Sequence, residues 1–155
     1  MILIRNGTIV DGTGKEPYRA DVLIKGNRIS AIGNFPRKQA ETVIDALGLT
    51  VAPGFIDVDT ESDHYLTLFT EPGQEDFLRQ GITTIIGGLC GASLAPLPYG
   101  SLEAIRKWGN PNELNVNWHT FAEVADVMRR RKFGVNVATL AGHATIRRAL
   151  IGNDL

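Results

Sequence analysis

The hydrophobic rhythm of the chain changes near residue 51, and that change constrains the fold more than any other feature. Before it, short β-branched runs alternate with turn residues. Met1–Ile4 and Thr8–Val10 flank Asn6-Gly7, and Ala20–Ile24 and Arg28–Ile32 flank Lys25-Gly26-Asn27. Gly and Asn accept the positive φ of tight turns, so both pairs read as β-hairpins. Val43–Ala46 reads as a further short strand, closed by Gly48. No cluster of catalytic residue types falls in residues 1–50, so this block reads as structural.

After residue 51, strands alternate with helices. Val51–Val58 is expected as one strand and Pro72–Gln80 as a short helix stopped by Gly81. Ile82–Gly87 is a continuous apolar run, expected as a strand buried on both faces. Residues 92–118 form a long excursion rich in Pro and Gly, with one helical turn expected near Leu102–Lys107. Connections this long commonly serve as lids or binding loops. Thr120 and Glu123 have capping-box spacing, and Phe121, Val124, Ala125 and Met128 recur at helical spacing up to a stop at Gly134. Val135–Leu140 is the next strand, and a helix is expected from Thr145. This β-α-β-α-β-α order predicts a parallel sheet with helical crossovers. Three units cannot close a barrel, which takes eight and about 250 residues. The chain is therefore expected to be the N-terminal part of a longer protein, or a degraded copy of one.

Asp57, Asp59, Glu61 and Asp63 fall at every second position after Phe55-Ile56. If the strand continues, they share one face within about 20 Å. Like charges so close must be solvated, protonated, hydrogen-bonded or bound to a cation. His64 has the wrong parity for that face and is expected to look to solvent or pack in a loop. Gly87, Gly88 and Gly91 lack phosphate-loop spacing, so close backbone packing is the better account of them.

The 155 residues carry a net charge of −1, which gives no electrostatic case for nucleic acid or an anionic membrane. The run Arg129-Arg130-Arg131-Lys132 reads as a solvated helix end. The single cysteine, Cys90, excludes an internal disulfide and suits a reducing compartment. No apolar run reaches the roughly 20 residues that span a bilayer, and the N-terminal one is short for a signal peptide. A cytoplasmic protein is expected.

The β-rich opening, Ala52-Pro53-Gly54-Phe55-Ile56-Asp57, Gln80-Gly81-Ile82-Thr83-Thr84, Gly88-Leu89-Cys90-Gly91-Ala92-Ser93-Leu94-Ala95-Pro96-Leu97 and Gly142-His143 together resemble the amidohydrolase superfamily. The similarity is greatest to its N-acyl-D-amino-acid deacylase (D-aminoacylase) branch. The resemblance implies an α/β fold. Residues 1–50 would be the N-terminal part of a small β-sandwich, and 51–155 the first three units of a metal-dependent (β/α)8 TIM-like barrel. It also implies zinc and hydrolysis of a linear amide in a small N-acyl amino acid. Cys90 falls where the family has a cysteine ligand. Asp59 and Glu61 stand where it has a His-x-His pair, and Asp63 matches an acidic residue that follows. Carboxylates in place of imidazoles favour harder cations. His143, after the third strand, is a candidate on the substrate side. The remaining metal-binding histidines and the catalytic aspartate would lie on later strands, in the rest of the barrel, so no catalytic residue is assigned and the chain alone is expected to be inactive. Two alternatives stay open: a non-catalytic homologue that keeps the fold, and a cyclic-amide hydrolase such as a dihydropyrimidinase.

Overall fold

The computed structural model describes residues 1–37, 40–97, 109–110, 112 and 114–152. The chain is of mixed α/β type and divides into two units, Met1–Pro53 and Gly54–Leu155. Among the described residues no helix is long and apolar enough to cross a membrane. The helical turn expected near Leu102–Lys107 lies outside the described residues.

The first unit is one sheet of five strands: β1 (Ile2–Ile9), β2 (Tyr18–Lys25), β3 (Arg28–Gly33), β4 (Thr42–Asp45) and β5 (Thr50–Val51). β2 pairs antiparallel with β1 and β3, whereas β4 and β5 run parallel to β1. The hairpin expected at Lys25-Gly26-Asn27 is present, joining β2 to β3. The one expected at Asn6-Gly7 is not. β1 runs through both residues, and the register with β2 shifts between Ile4 and Gly7. The residue that suits a tight turn also suits a bulge, because both need positive φ; Asn6 has φ 62°. Its position is held from both sides. The Asn6 backbone N–H donates to Asp21 Oδ1 at 2.9 Å, and its Nδ2 donates to Asp45 Oδ1 at 2.9 Å.

Asp21 is buried with Leu3, Ile9, Val22 and Ala46. Burial alone would push its carboxyl up. The N–H groups of Asn6 and Phe35 and the Arg5 guanidinium outweigh that and hold it below its ordinary value. A lowered carboxyl stabilises the fold above its unfolded pKa, about 4, and the benefit disappears as pH falls through the folded value. Asp21→Asn leaves one half-buried N–H without its acceptor and is expected to cost about 1–3 kcal/mol at neutral pH. Denaturant titration should show this gap shrink in acid; an unchanged midpoint would contradict it.

The second unit holds a three-stranded parallel sheet in the order β6 (Phe55–Asp57), β7 (Ile82–Gly87), β8 (Asn136–Thr139). The connections carry α1 (Thr67–Thr70), α2 (Glu75–Arg79) and α3 (Phe121–Arg130), and α4 (His143–Ile151) follows β8. The strand expected over Val51–Val58 is in fact two. Val51 pairs with Ile9 in the first sheet, and Phe55–Asp57 pairs with β7 in the second. Pro53 has no N–H to continue a ladder. A Cβ on Gly54 would overlap the Thr83 side chain, so the entry to β6 needs glycine.

The helix expected over Pro72–Gln80 shortens to Glu75–Arg79, after Gln74 at φ 46°. β7 has the expected bounds but is not buried on both faces; Ile85 and Gly87 are buried on one, whereas Ile82, Thr84 and Ile86 on the other are only half-buried. α3 begins as expected. Glu123 N–H donates to Thr120 Oγ1 at 3.3 Å, and Thr120 N–H donates back to Glu123 Oε2 at 2.8 Å. α4 starts two residues before the expected Thr145. The basic run is not merely solvated: the Arg131 guanidinium lies 5.0 Å over the Phe69 ring, which stacks on Trp118 at 5.8 Å. Leu66, Leu68, Ile85, Leu94 and Val124 complete this core.

Candidate metal centre at the strand ends

Parallel strands deliver their C-terminal ends to one edge of a sheet, where the loops that follow them meet. β6 ends at Asp57 because its own side chain stops it: Asp57 Oδ1 accepts the N–H of Asp59 at 3.2 Å, a local turn that competes with extended chain. The expected one-face alternation of carboxylates therefore fails. Asp59 is exposed, Asp57 and Glu61 are half-buried, and Asp63 is buried. The chain touches β7 once more through Thr60, whose N–H and Oγ1 both donate to Ile86 O, at 3.1 and 3.0 Å. That double bond to β7 fixes Asp59 and Glu61 on either side of it.

β7 ends in Gly87, and three positive-φ residues follow within four positions: Gly88 at 80°, Cys90 at 54° and Gly91 at 79°. A non-glycine residue held there marks a loop over-determined by its surroundings. Cys90 is exposed, and its Sγ lies 3.8 Å from Glu61 Oε1. Zinc–sulfur and zinc–oxygen bonds of about 2.3 and 2.0–2.2 Å at a tetrahedral angle put the two donors about 3.6 Å apart. The thiol and carboxylate thus stand at close to the spacing of two ligands of one ion. Among the described residues, no three His, Cys, Asp or Glu side chains stand close enough together to hold a metal ion.

Asp63 is 3% exposed, and both of its carboxylate oxygens accept backbone N–H groups. Oδ1 takes His64 N–H at 3.0 Å and Oδ2 takes Gly88 N–H at 2.8 Å. Burial pushes this carboxyl above its ordinary value, against the pull of His64 and of those donors. His64, expected from strand parity to look to solvent or pack in a loop, is fully buried, with Nε2 3.2 Å from Ala92 O. The strand has already ended at Asp57, so His64 takes the second of those settings and packs in the loop that follows.

His143 is the first residue of α4 and is exposed. The loop carrying Cys90 reaches the same helix end, since Gly91 O accepts the N–H groups of Ala144 and Thr145 at 2.7 and 3.1 Å.

No family model matches the chain. D-aminoacylase of Alcaligenes xylosoxydans xylosoxydans is 37% identical over 97% of the chain, which spans 30% of that protein. The structure of an N-acyl-D-glutamate deacylase from Bordetella bronchiseptica, complexed with zinc and a phosphonate mimic of the tetrahedral intermediate, matches with TM-score 0.78 and 35% identity. It aligns with 99% of the chain and the chain covers 31% of it. A D-aminoacylase with a binuclear metal centre matches with TM-score 0.85 and 33% identity, over 99% of the chain and 32% of its own length. The chain is homologous to the N-acyl-D-amino-acid deacylases.

In this deacylase homologue the Cys-Gly-x-Ser segment has a structural logic that spacing alone did not show. Ser93 is fully buried; its Oγ donates to Ala95 O at 2.6 Å and accepts Gly142 N–H at 2.9 Å. Its own N–H donates to Thr145 Oγ1 at 2.9 Å. One hydroxyl therefore ties the Cys90 loop to the start of α4. Thr60 and Ser93, neither singled out from sequence, hold the two loops in place; the only sequence signal was the position of Ser93 inside a quoted segment and of Thr60 between Asp59 and Glu61. Ser93→Ala leaves the Gly142 N–H without its partner and is expected to destabilise the fold by about 1–3 kcal/mol. Equilibrium unfolding measures this, and a variant as stable as the parent would refute the role.

Proposed function

We propose that the protein carrying this chain hydrolyses the amide bond of a small N-acyl amino acid at a metal held in part by Cys90 and Glu61. The observation that carries this is the 3.8 Å approach of the Cys90 thiol to the Glu61 carboxylate at the ends of two adjacent parallel strands. The homologous deacylases support the substrate class. In this reading, residues 51–155 are the opening three units of a (β/α)8 barrel, and residues 1–50 are part of a β-sandwich. The chain corresponds to about 30% of its relatives, so the remaining ligands and the catalytic acid–base group belong to other parts of such a barrel. The single cysteine favours a reducing, cytoplasmic setting.

A bound zinc would lower the pKa of its water and polarise the scissile carbonyl. Cys90 would supply a thiolate, its thiol losing a proton on binding. Glu61 adds a second anionic donor, and exposed Asp59 extends the carboxylate set on the other side of Thr60. Anionic oxygen donors shift preference toward harder cations than a His-x-His pair selects. His143, exposed where α4 begins, is assigned in this reading to the substrate side.

The second reading is a non-catalytic homologue. It is favoured by the carboxylates at 59 and 61 and by the lack of a three-donor group among the described residues. Elemental analysis of the purified protein separates the two readings. At least one metal ion per chain, lost in Cys90→Ala, is expected of the first. The pair Asp59→His and Glu61→His is expected to raise hydrolysis of N-acyl-D-amino acids. A metal-free protein with no gain from the restored histidines would establish the second.

A further inference from the structure

We propose that Asp63 positions this centre without ligating it: with His64 it braces the Cys90 loop at both ends and sets the distance between thiol and Glu61. The reading of Cys90 and Glu61 as metal donors underlies the purpose of the brace, but its geometry stands apart from any metal.

Cys90 is the midpoint of residues 88–92. At one end, Gly88 N–H donates to Asp63 Oδ2 at 2.8 Å. At the other, Ala92 O lies 3.2 Å from His64 Nε2. Two consecutive side chains from the loop after β6 therefore grip both ends of the loop after β7. On the first loop, Glu61 sits two residues before Asp63; on the second, Cys90 sits two residues after Gly88. The clamp is thus two residues from each member of the pair, near enough for small shifts in it to be felt at Sγ and Oε1.

A ligand needs a lone pair aimed at the ion. The oxygens of Asp63 face backbone donors instead, and the residue is 3% exposed. The sequence around it is shaped to admit the carboxylate. A Cβ on Gly87 would stand 2.8 Å from Asp63 Cγ, closer than real contacts allow, and a tight 3.0 Å from each oxygen. Gly87 thus has no side chain because Asp63 fills the space. The brace also accounts for Cys90 at φ 54°, since a non-glycine residue keeps that conformation only when its neighbours are held.

The test compares the wild type with Asp63→Ala, Asp63→Asn and Gly87→Ala. Cys90 is the only cysteine of the 155 residues, so in this chain its alkylation by iodoacetamide reports this loop alone. In metal-free protein, the rate is expected to shift severalfold in Asp63→Ala and Gly87→Ala, with Asp63→Asn, which keeps one accepting oxygen, between them and the wild type. Cobalt titration is expected to show affinity lowered by about 10–100-fold in the first two, as for other residues that orient metal ligands. At saturating cobalt the thiolate charge-transfer band is expected to keep its wild-type position, because the ligands remain. A displaced band in Asp63→Ala, with Gly87→Ala and the metal-free alkylation rates unchanged, would make Asp63 a ligand and overturn the proposal. If Asp63→Ala does not fold, Gly87→Ala and Asp63→Asn decide it. Shifted alkylation rates with no cobalt uptake by the wild type would uphold the brace and refute the metal reading of Cys90 and Glu61.

Discussion

One buried carboxylate joins the two loops on which any chemistry here depends. Asp63 accepts N–H groups from its own loop and from the loop after β7, in surroundings that disfavour its charge. Removing either partner would strand a buried donor or a buried carboxyl, both costly. The loops are therefore coupled: where one goes, the other follows. Thr60 on β7 and Ser93 against α4 extend the same principle, each satisfying backbone groups that the strand ends leave over.

This arrangement separates what holds the site from what can act in it. The holding groups, Asp63, His64 and Ser93, are buried, and each is hydrogen-bonded to backbone groups. The acting candidates, Cys90, Asp59 and His143, are exposed, and Glu61 is half-buried. A parallel sheet produces this division naturally: its interior packs and its C-terminal edge is left to loops. Carboxylates at 59 and 61 change the charge of that edge without disturbing the frame beneath, because neither residue takes part in the brace.

Local signals were legible in the sequence wherever one interaction decides the structure. The bounds of β7, the capping box of Thr120 and Glu123 and the turn at Gly26-Asn27 are of that kind. Failures came where two local preferences look alike. Asn6-Gly7 offers positive φ to a bulge as readily as to a hairpin, and the long-range bonds from Asn6 to Asp21 and Asp45 made the choice. The acidic alternation assumed an extended chain beyond Asp57, but that side chain bonds the Asp59 N–H and ends the strand. Parity then gave no hint that Asp63 is buried, or that His64, packed in the loop, is buried beside it. The approach of Cys90 to Glu61 was reachable from the resemblance; the brace that sets it was not, because it depends on contacts 25 residues apart.

X-ray absorption at the zinc edge of the metal-loaded protein addresses the central claim most directly. A shell containing one sulfur at about 2.3 Å together with oxygen donors at about 2.0–2.2 Å is the predicted result. A first shell of nitrogen and oxygen alone, with no sulfur, would remove Cys90 from the metal and contradict the account.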